Sequence, residues 1–243
     1  MSSPPTSQAP GPTVVEVLGV AKSYRRGSEE VHALQDVSLT LRAHEVVALV
    51  GPSGSGKTTL LNLLCGWEAP DAGEILWSDG RPATLADRQW SDLAIVPQSL
   101  GLMEDLTIRE NVELPARLRR EGEASGNKVA AKAKGKDRAT RLLRGLGLDA
   151  LADRDPREAS MGEQQRAALA RALALSPRLL LADEPTGHQD ADWARGVFRA
   201  IRFAAGEGSA CLVATHNREA VVFADRVLAI RDGRVHAIDG VPA

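Results

Sequence analysis

Cysteine is scarce: the 243 residues hold two, Cys65 and Cys211, far apart and each inside an apolar pattern. That excludes a disulfide framework and points to buried thiols in a reducing cytosol. No apolar run reaches the length of a bilayer-crossing helix, so the chain is not expected to span a membrane. The stretch Met1–Thr13, rich in Ser, Pro, Gln and Thr, has no basic start followed by an apolar segment, so it reads as a disordered tail and not a secretory signal. Charge of one sign is also missing. The formal net charge is −2, which gives no global pull toward nucleic acid or anionic lipid. No internal repeat is present.

What remains is enough chain for one α/β domain with an inserted part. Extended patterns are predicted at Val14–Val20, Val31–Leu41, Glu45–Val50, Glu74–Trp77, Leu93–Val96, Leu179–Asp183 and Ala210–Ala214. Arg226–Ile230 and Arg234–Ile238 read as a hairpin around Asp232 and Gly233. Helical spacing follows the loop at Ser53–Gly56, with Leu60, Leu61, Leu63 and Leu64 as its apolar residues. It returns in Leu106–Arg120, Asp137–Leu146, Gly162–Leu175 and Ala191–Ala205. Thr107 and Glu110 form a capping signal at the first of these. Strands flank a helical block, which implies a mostly parallel sheet with helices inserted into it. Gly122–Lys136 carries Lys128, Lys132, Lys134 and Lys136 among Ala and Gly. It reads as a solvated, mobile loop, with a basic contact to lipid headgroups or a partner as the alternative.

The chemistry begins at Gly51-Pro-Ser-Gly-Ser-Gly-Lys-Thr58, which satisfies G-x-x-x-x-G-K-[ST] between a strand and a helix. Glycines let the chain curl so that backbone N–H groups point at phosphate, and the helix N-terminus adds positive partial charge. Lys57 would reach the terminal phosphates, and the Thr58 hydroxyl would ligate Mg²⁺. Out of context the same residues make an ordinary Gly/Ser turn. Leu179–Ala182 ends in Asp183 and Glu184. Asp183 suits a Mg²⁺ ion that keeps its waters, and Glu184 suits a general base for an attacking water. Alone, such a pair is a weak signal. His216 follows a strand; by itself it reads first as a surface or core histidine, and in a phosphoryl-transfer site as a donor to the γ-phosphate. Gln98 stands just after the strand ending in Pro97. Ligands in open α/β sheets sit at the carboxyl ends of strands, so Val50, Pro97, Asp183 and Ala214 are expected to converge on one crevice.

These residues, with Tyr24, Thr59, Ser160–Arg166 and Asp183–Asp190, stand in the order found in ABC transporter ATPase domains. The resemblance runs through nearly all of the chain from Val14, and the tract Ser-Met-Gly-Glu-Gln-Gln-Arg ahead of Leu179 is its most specific part. Leu102–Val112 and Ala182–Gly187 look most like the macrolide- and lipoprotein-exporter branch, which also includes the ATPase of the cell-division complex controlling wall hydrolases. The resemblance implies a P-loop NTPase with a RecA-like, mostly parallel sheet, a small antiparallel β-subdomain and an inserted helical subdomain. On that reading 14–98 and 177–243 form the nucleotide-binding core and 99–176 the helical part.

The resemblance also implies ATP and Mg²⁺ as ligands, with Gly51, Ser53, Gly54, Ser55, Gly56, Lys57, Thr58 and Thr59 around the phosphates. Tyr24 would stack on adenine, and Gln98 would sense Mg²⁺ and link to a membrane partner. Asp190 would lie at a dimer seam. Ser160, Gly162 and Glu163 would close over ATP held by a second copy. The implied partners are a second ATPase subunit, identical or not, and a membrane permease, with no nucleic acid; the implied place is the inner face of the cell membrane. The implied function is to power export of the lipoprotein, peptide or drug type. The alternative is a regulatory or mechanotransmitting ATPase that gates a membrane partner without moving solute. Two departures touch the dimer interface. Met161 stands where the family has glycine, which is expected to crowd the second nucleotide or strain the backbone, and His188-Gln189-Asp190 replaces Asn-Leu-Asp. No Asn-Lys-x-Asp tract for guanine is present.

Overall fold

A computed structural model describes residues 11–80, 91–122, 128–186, 191–216 and 219–238. Two sheets carry the fold. In the smaller, β1 (Thr13–Arg26) lies between β2 (Glu29–Arg42) and β4 (Ala72–Trp77), all antiparallel. Thr13, assigned to the tail by composition, already pairs with Arg42, and 1–10 lie outside the described residues. The larger sheet holds β3 (Val46–Val50), β5 (Leu93–Val96), β6 (Leu179–Asp183), β7 (Ala210–Thr215), β8 (Arg226–Arg231) and β9 (Arg234–Ala237). Its order is β5-β6-β7-β3-β8-β9, and only β9 runs antiparallel to its neighbour.

The central strands are apolar throughout because both faces of the sheet are covered. Side chains alternate between the faces. Val46, Ala48, Leu180, Ala182, Cys211 and Val213 enter one core with helices α2 (Ile108–Gly122), α3 (Lys128–Gly145), α4 (Met161–Leu173) and α5 (Ala191–Gly206). Val47, Leu49, Leu179, Leu181, Leu212 and Leu228 enter the other, with α1 (Lys57–Leu64) and the small sheet. Cys65 and Cys211 are buried and free, one in each core, and burial pushes both thiols up to about 12. They pack as small apolar groups and are not nucleophiles at neutral pH.

The capping signal at α2 is realised. Thr107 N–H donates to Glu110 Oε2 at 3.1 Å, and Glu110 N–H donates to Thr107 Oγ1 at 3.2 Å. The Lys-rich segment departs from expectation. Instead of a mobile loop, residues from Lys128 onward form the first turns of α3, while 123–127 lie outside the described residues. Ala130, Ala131 and Ala133 between lysines have high intrinsic helix propensity. A helix needs no apolar face where Ala139, Leu142, Leu143 and Leu146 further along bury the element. A short helix, α6 (Glu219–Phe223), follows β7, and Phe223 stacks on the buried Phe198 of α5 at 5.3 Å between ring centroids.

Candidate active site

Because β5, β6, β7 and β3 are adjacent and parallel, their carboxyl ends share one edge. Val50 is level with Thr215, Asp183 with Ala214, and Val96 with Ala182. The loop after each strand therefore delivers its residue to the same place. A cleft of about 580 Å³ lies there, lined by Ser53, Gly54, Gly56, Lys57, Thr58, Thr59, Gln98, Asp183, Glu184 and His216, with Val31, His32 and Ala33 on its β2 side. The convergence expected from the strand ends is what the chain builds.

The loop before α1 is shaped by glycine. Gly54 and Gly56 adopt φ of 76° and 105°, in the region that side chains disfavour. A Cβ on Gly56 would stand 2.4 Å from the Ala33 carbonyl oxygen, so β2 presses directly on the loop. Ser55 N–H donates to the Pro52 carbonyl and Ser55 O accepts from Gly233 N–H, closing the curl against the hairpin between β8 and β9. Ser55 Oγ is buried without a partner in the protein, a polar atom suited to a ligand oxygen. Lys57 is buried, and its Nζ donates to the carbonyls of Gly51 and Pro52 at 2.8 and 3.0 Å.

Across the cleft, Thr58 Oγ1 donates to Asp183 Oδ2 at 2.9 Å. Burial raises the Asp183 carboxyl above its ordinary range, with the Thr58 bond opposing and the neighbouring Glu184 charge adding to the rise. A buried carboxylate beside a threonine hydroxyl is a hard-oxygen set of the kind Mg²⁺ uses. Among the described residues no group of three or more His, Cys, Asp or Glu gathers as a cation cage. The set thus fits an ion whose shell is completed by phosphate and water.

Glu184 is held unusually. Its φ is +48°, left-handed for a residue with a side chain, a conformation costing about 1–2 kcal/mol. Its N–H donates to the Ala214 carbonyl at 2.8 Å. Oε2 accepts Thr215 Oγ1 at 2.9 Å and His216 N–H at 3.3 Å, while Oε1 lies 2.9 Å from His216 Nδ1. The carboxylate is thereby aimed by β7, with the His216 ring on its exposed side. Thr215 was not legible as a site residue; the only signal is a hydroxyl beside His216 at the end of an apolar strand.

The remaining candidates fall elsewhere. Tyr24, at the outer end of β1, is partly exposed, and its hydroxyl donates to Glu68 Oε2 at 2.6 Å. Gly51 starts the loop. Ser160, Gly162 and Glu163 open α4 and do not line the cleft. Ser160 and Glu163 form a reciprocal cap: Ser160 N–H donates to Glu163 Oε2 at 2.7 Å and Glu163 N–H to Ser160 Oγ at 3.4 Å. The Ser160 amide, first, and its hydroxyl hold the Glu163 carboxyl below its usual range. Met161 occupies the first helical position without positive φ, so backbone strain is excluded there; its side chain is 56% exposed. Asp190, with His188 and Gln189, lies outside the described residues.

The sequence pattern of the family described as ABC transporter matches residues 34–187. The lipoprotein-releasing system ATP-binding protein LolD of Paramagnetospirillum magneticum is 38% identical over 220 residues, covering 88% of this chain and 93% of the relative. The LolD of Gluconobacter oxydans is 39% identical over 231 residues, covering 93% and 96%. Among solved structures, the dimeric post-hydrolysis state of the ATP-binding cassette MJ0796 bound to ADP and Pi superposes with a TM-score of 0.81 at 31% identity, covering 94% of this chain and 99% of that one. The loop that curls on its glycines and the carboxylates opposite it are thus set in a chain whose relatives match it nearly end to end, and the chain belongs to the ABC transporter family as an ATP-binding, ATP-hydrolysing subunit.

Proposed function

We propose that two copies of this ATPase, or one copy and a close paralogue, enclose two ATP molecules head to tail and drive a membrane permease that releases or exports lipoprotein-type cargo. The observation that carries this reading is the single cleft in which Lys57, Thr58, Gln98, Asp183, Glu184 and His216 meet. The cargo class follows the name of the LolD relatives, and the dimer follows the MJ0796 structure. No helix among the described residues is long and apolar enough to cross a membrane, so a permease would supply the membrane path and hold the subunit at the inner face.

In this reading the backbone N–H groups of Gly54–Thr58 and the Lys57 ammonium bind the β- and γ-phosphates. Ser55 Oγ gains the partner it lacks in the protein. Thr58, Gln98 and Asp183 would hold Mg²⁺, which supplies charge neutralisation on the phosphate oxygens. Glu184 accepts the proton of a water whose oxygen bonds to the γ-phosphorus. The bond from that phosphorus to the β–γ bridging oxygen breaks with its electron pair on ADP. Thr215 and the His216 amide keep the carboxylate from rotating away, and the His216 ring faces the γ-phosphate. Tyr24 carries the adenine. Ser160, Gly162 and Glu163 of one copy complete the site of the other, with Asp190 at the seam.

If closure is required, phosphate release per subunit rises with subunit concentration until the dimer saturates. A specific rate constant across a hundredfold dilution series, with a monomer by light scattering throughout, would overturn the dimeric reading. The regular backbone at Met161 narrows its effect to side-chain bulk at the mouth of α4. Met161→Gly is therefore expected to raise the ATP-dependent dimer fraction of the Glu184→Gln protein on size exclusion. An unchanged fraction would remove Met161 from the interface.

A further inference from the structure

The outer end of β1 is short of backbone partners. Pairing with β4 stops at Ala21 opposite Ala72, and Lys22–Arg26 continues beside β2 alone. Left to itself, a two-stranded ribbon is only marginally stable. On the open flank, side chains take the place of a third strand. Lys22 Nζ donates to the Ala69 carbonyl at 2.8 Å and to Asp71 Oδ1 at 3.1 Å. Ser23 N–H donates to Asp71 Oδ2 at 2.7 Å. Tyr24 Oη donates to Glu68 Oε2 at 2.6 Å.

The last of these contacts reaches further than the others. The other oxygen of Glu68 accepts Asn62 Nδ2 of α1 at 3.1 Å. Helix α1 begins at Lys57, in the phosphate loop. We propose that Glu68 is a positioning residue for the nucleotide base: by accepting both Tyr24 and Asn62, it sets the tyrosine ring at a fixed distance from the helix that holds the phosphates. The inference rests on the reading of Tyr24 as the adenine platform. A ring on a loose ribbon must be ordered when the nucleotide binds; one already tied to α1 is not. Burial, then the bond to Glu68, pushes the Tyr24 phenol up to about 12, and the same bond holds the Glu68 carboxyl below its usual range.

ADP and inorganic pyrophosphate test this, since they share a diphosphate and differ in the base. Glu68→Ala and Tyr24→Phe are each expected to weaken ADP binding by about fivefold, with pyrophosphate affinity unchanged. The double variant is expected to be no weaker than either single one. Glu68→Gln, which keeps an acceptor, should return to within about twofold of wild type. Tyr24 is the one tyrosine in the chain, so [¹³Cζ]tyrosine gives a single resonance. That resonance is expected to shift in Glu68→Ala and far less in Glu68→Gln. ADP affinity unchanged in Tyr24→Ala would remove the platform reading itself. Weakened ADP binding in Tyr24→Ala, with wild-type affinity in Glu68→Ala and Tyr24→Phe, would overturn the role of Glu68 alone. Equal losses for ADP and pyrophosphate would overturn it too, by showing that Glu68 acts through the general stability of α1.

Discussion

Glu184→Gln is expected to lower ATP turnover by roughly 10²–10⁴-fold, the range for loss of a general base, while ATP binding persists. The expectation follows from how the side chain is held. A glutamine carbonyl still accepts from Thr215 Oγ1 and the His216 amide, the two donors now on Oε2. The left-handed backbone at Glu184 is unaffected by an isosteric change. What disappears is the capacity to take a proton from water. Phosphate release read against ATP binding by fluorescence competition separates the two. Turnover within tenfold of wild type would move the base elsewhere in the cleft.

Gly56→Ala is expected to weaken ATP binding by about 100-fold, equivalent to about 3 kcal/mol of combined strain and overlap. Its φ of 105° is poorly open to a side chain, and the added carbon would meet the Ala33 carbonyl oxygen at 2.4 Å and Leu34 Cδ2 at 3.0 Å. The first of these is a backbone atom of β2, which cannot swing aside as the end of a flexible side chain can. The loop must move instead, and with it the N–H groups aimed at phosphate. Gly27→Ala is the matching control. Its φ is 65°, but nothing lies within 4 Å of the added carbon, and it sits in the turn between β1 and β2. It should cost about 1–2 kcal/mol of stability and leave ATP affinity alone. Equal affinities for the two variants would refute the steric account of Gly56.

The cleft was legible because its parts are local. A glycine loop between a strand and a helix, an apolar run ending in two carboxylates, and a histidine after a further apolar run each declare themselves within about ten residues. The rule that ligands gather at carboxyl ends then joins them. The contacts that orient the groups are not local. Thr58 meets Asp183 across 125 positions of sequence, and Tyr24 meets Glu68 across 44. No spacing rule carries such pairs. Neither the left-handed turn at Glu184 nor the five-residue α6 has a local signature. The first turns of α3 escape a local reading for a different reason. Their lysines and alanines look like a solvated tract, and it is Leu142, Leu143 and Leu146 further along that anchor the helix. At Met161 the expectation of backbone strain gave way because the position is an ordinary first turn of helix, capped by Ser160 and Glu163.

The placement of β3 has a consequence for synthesis. This strand leads into the phosphate loop, yet both of its sheet neighbours, β7 and β8, come after the whole helical block and β6 in sequence. The loop itself waits for Gly233, whose N–H meets the Ser55 carbonyl. Chains are made from the N-terminus at several residues per second, and contacts so distant in sequence close slowly. From the synthesis of β3 until that of β7, β8 and the turn at Gly233, the phosphate loop therefore lacks the strands and the contact that give it shape.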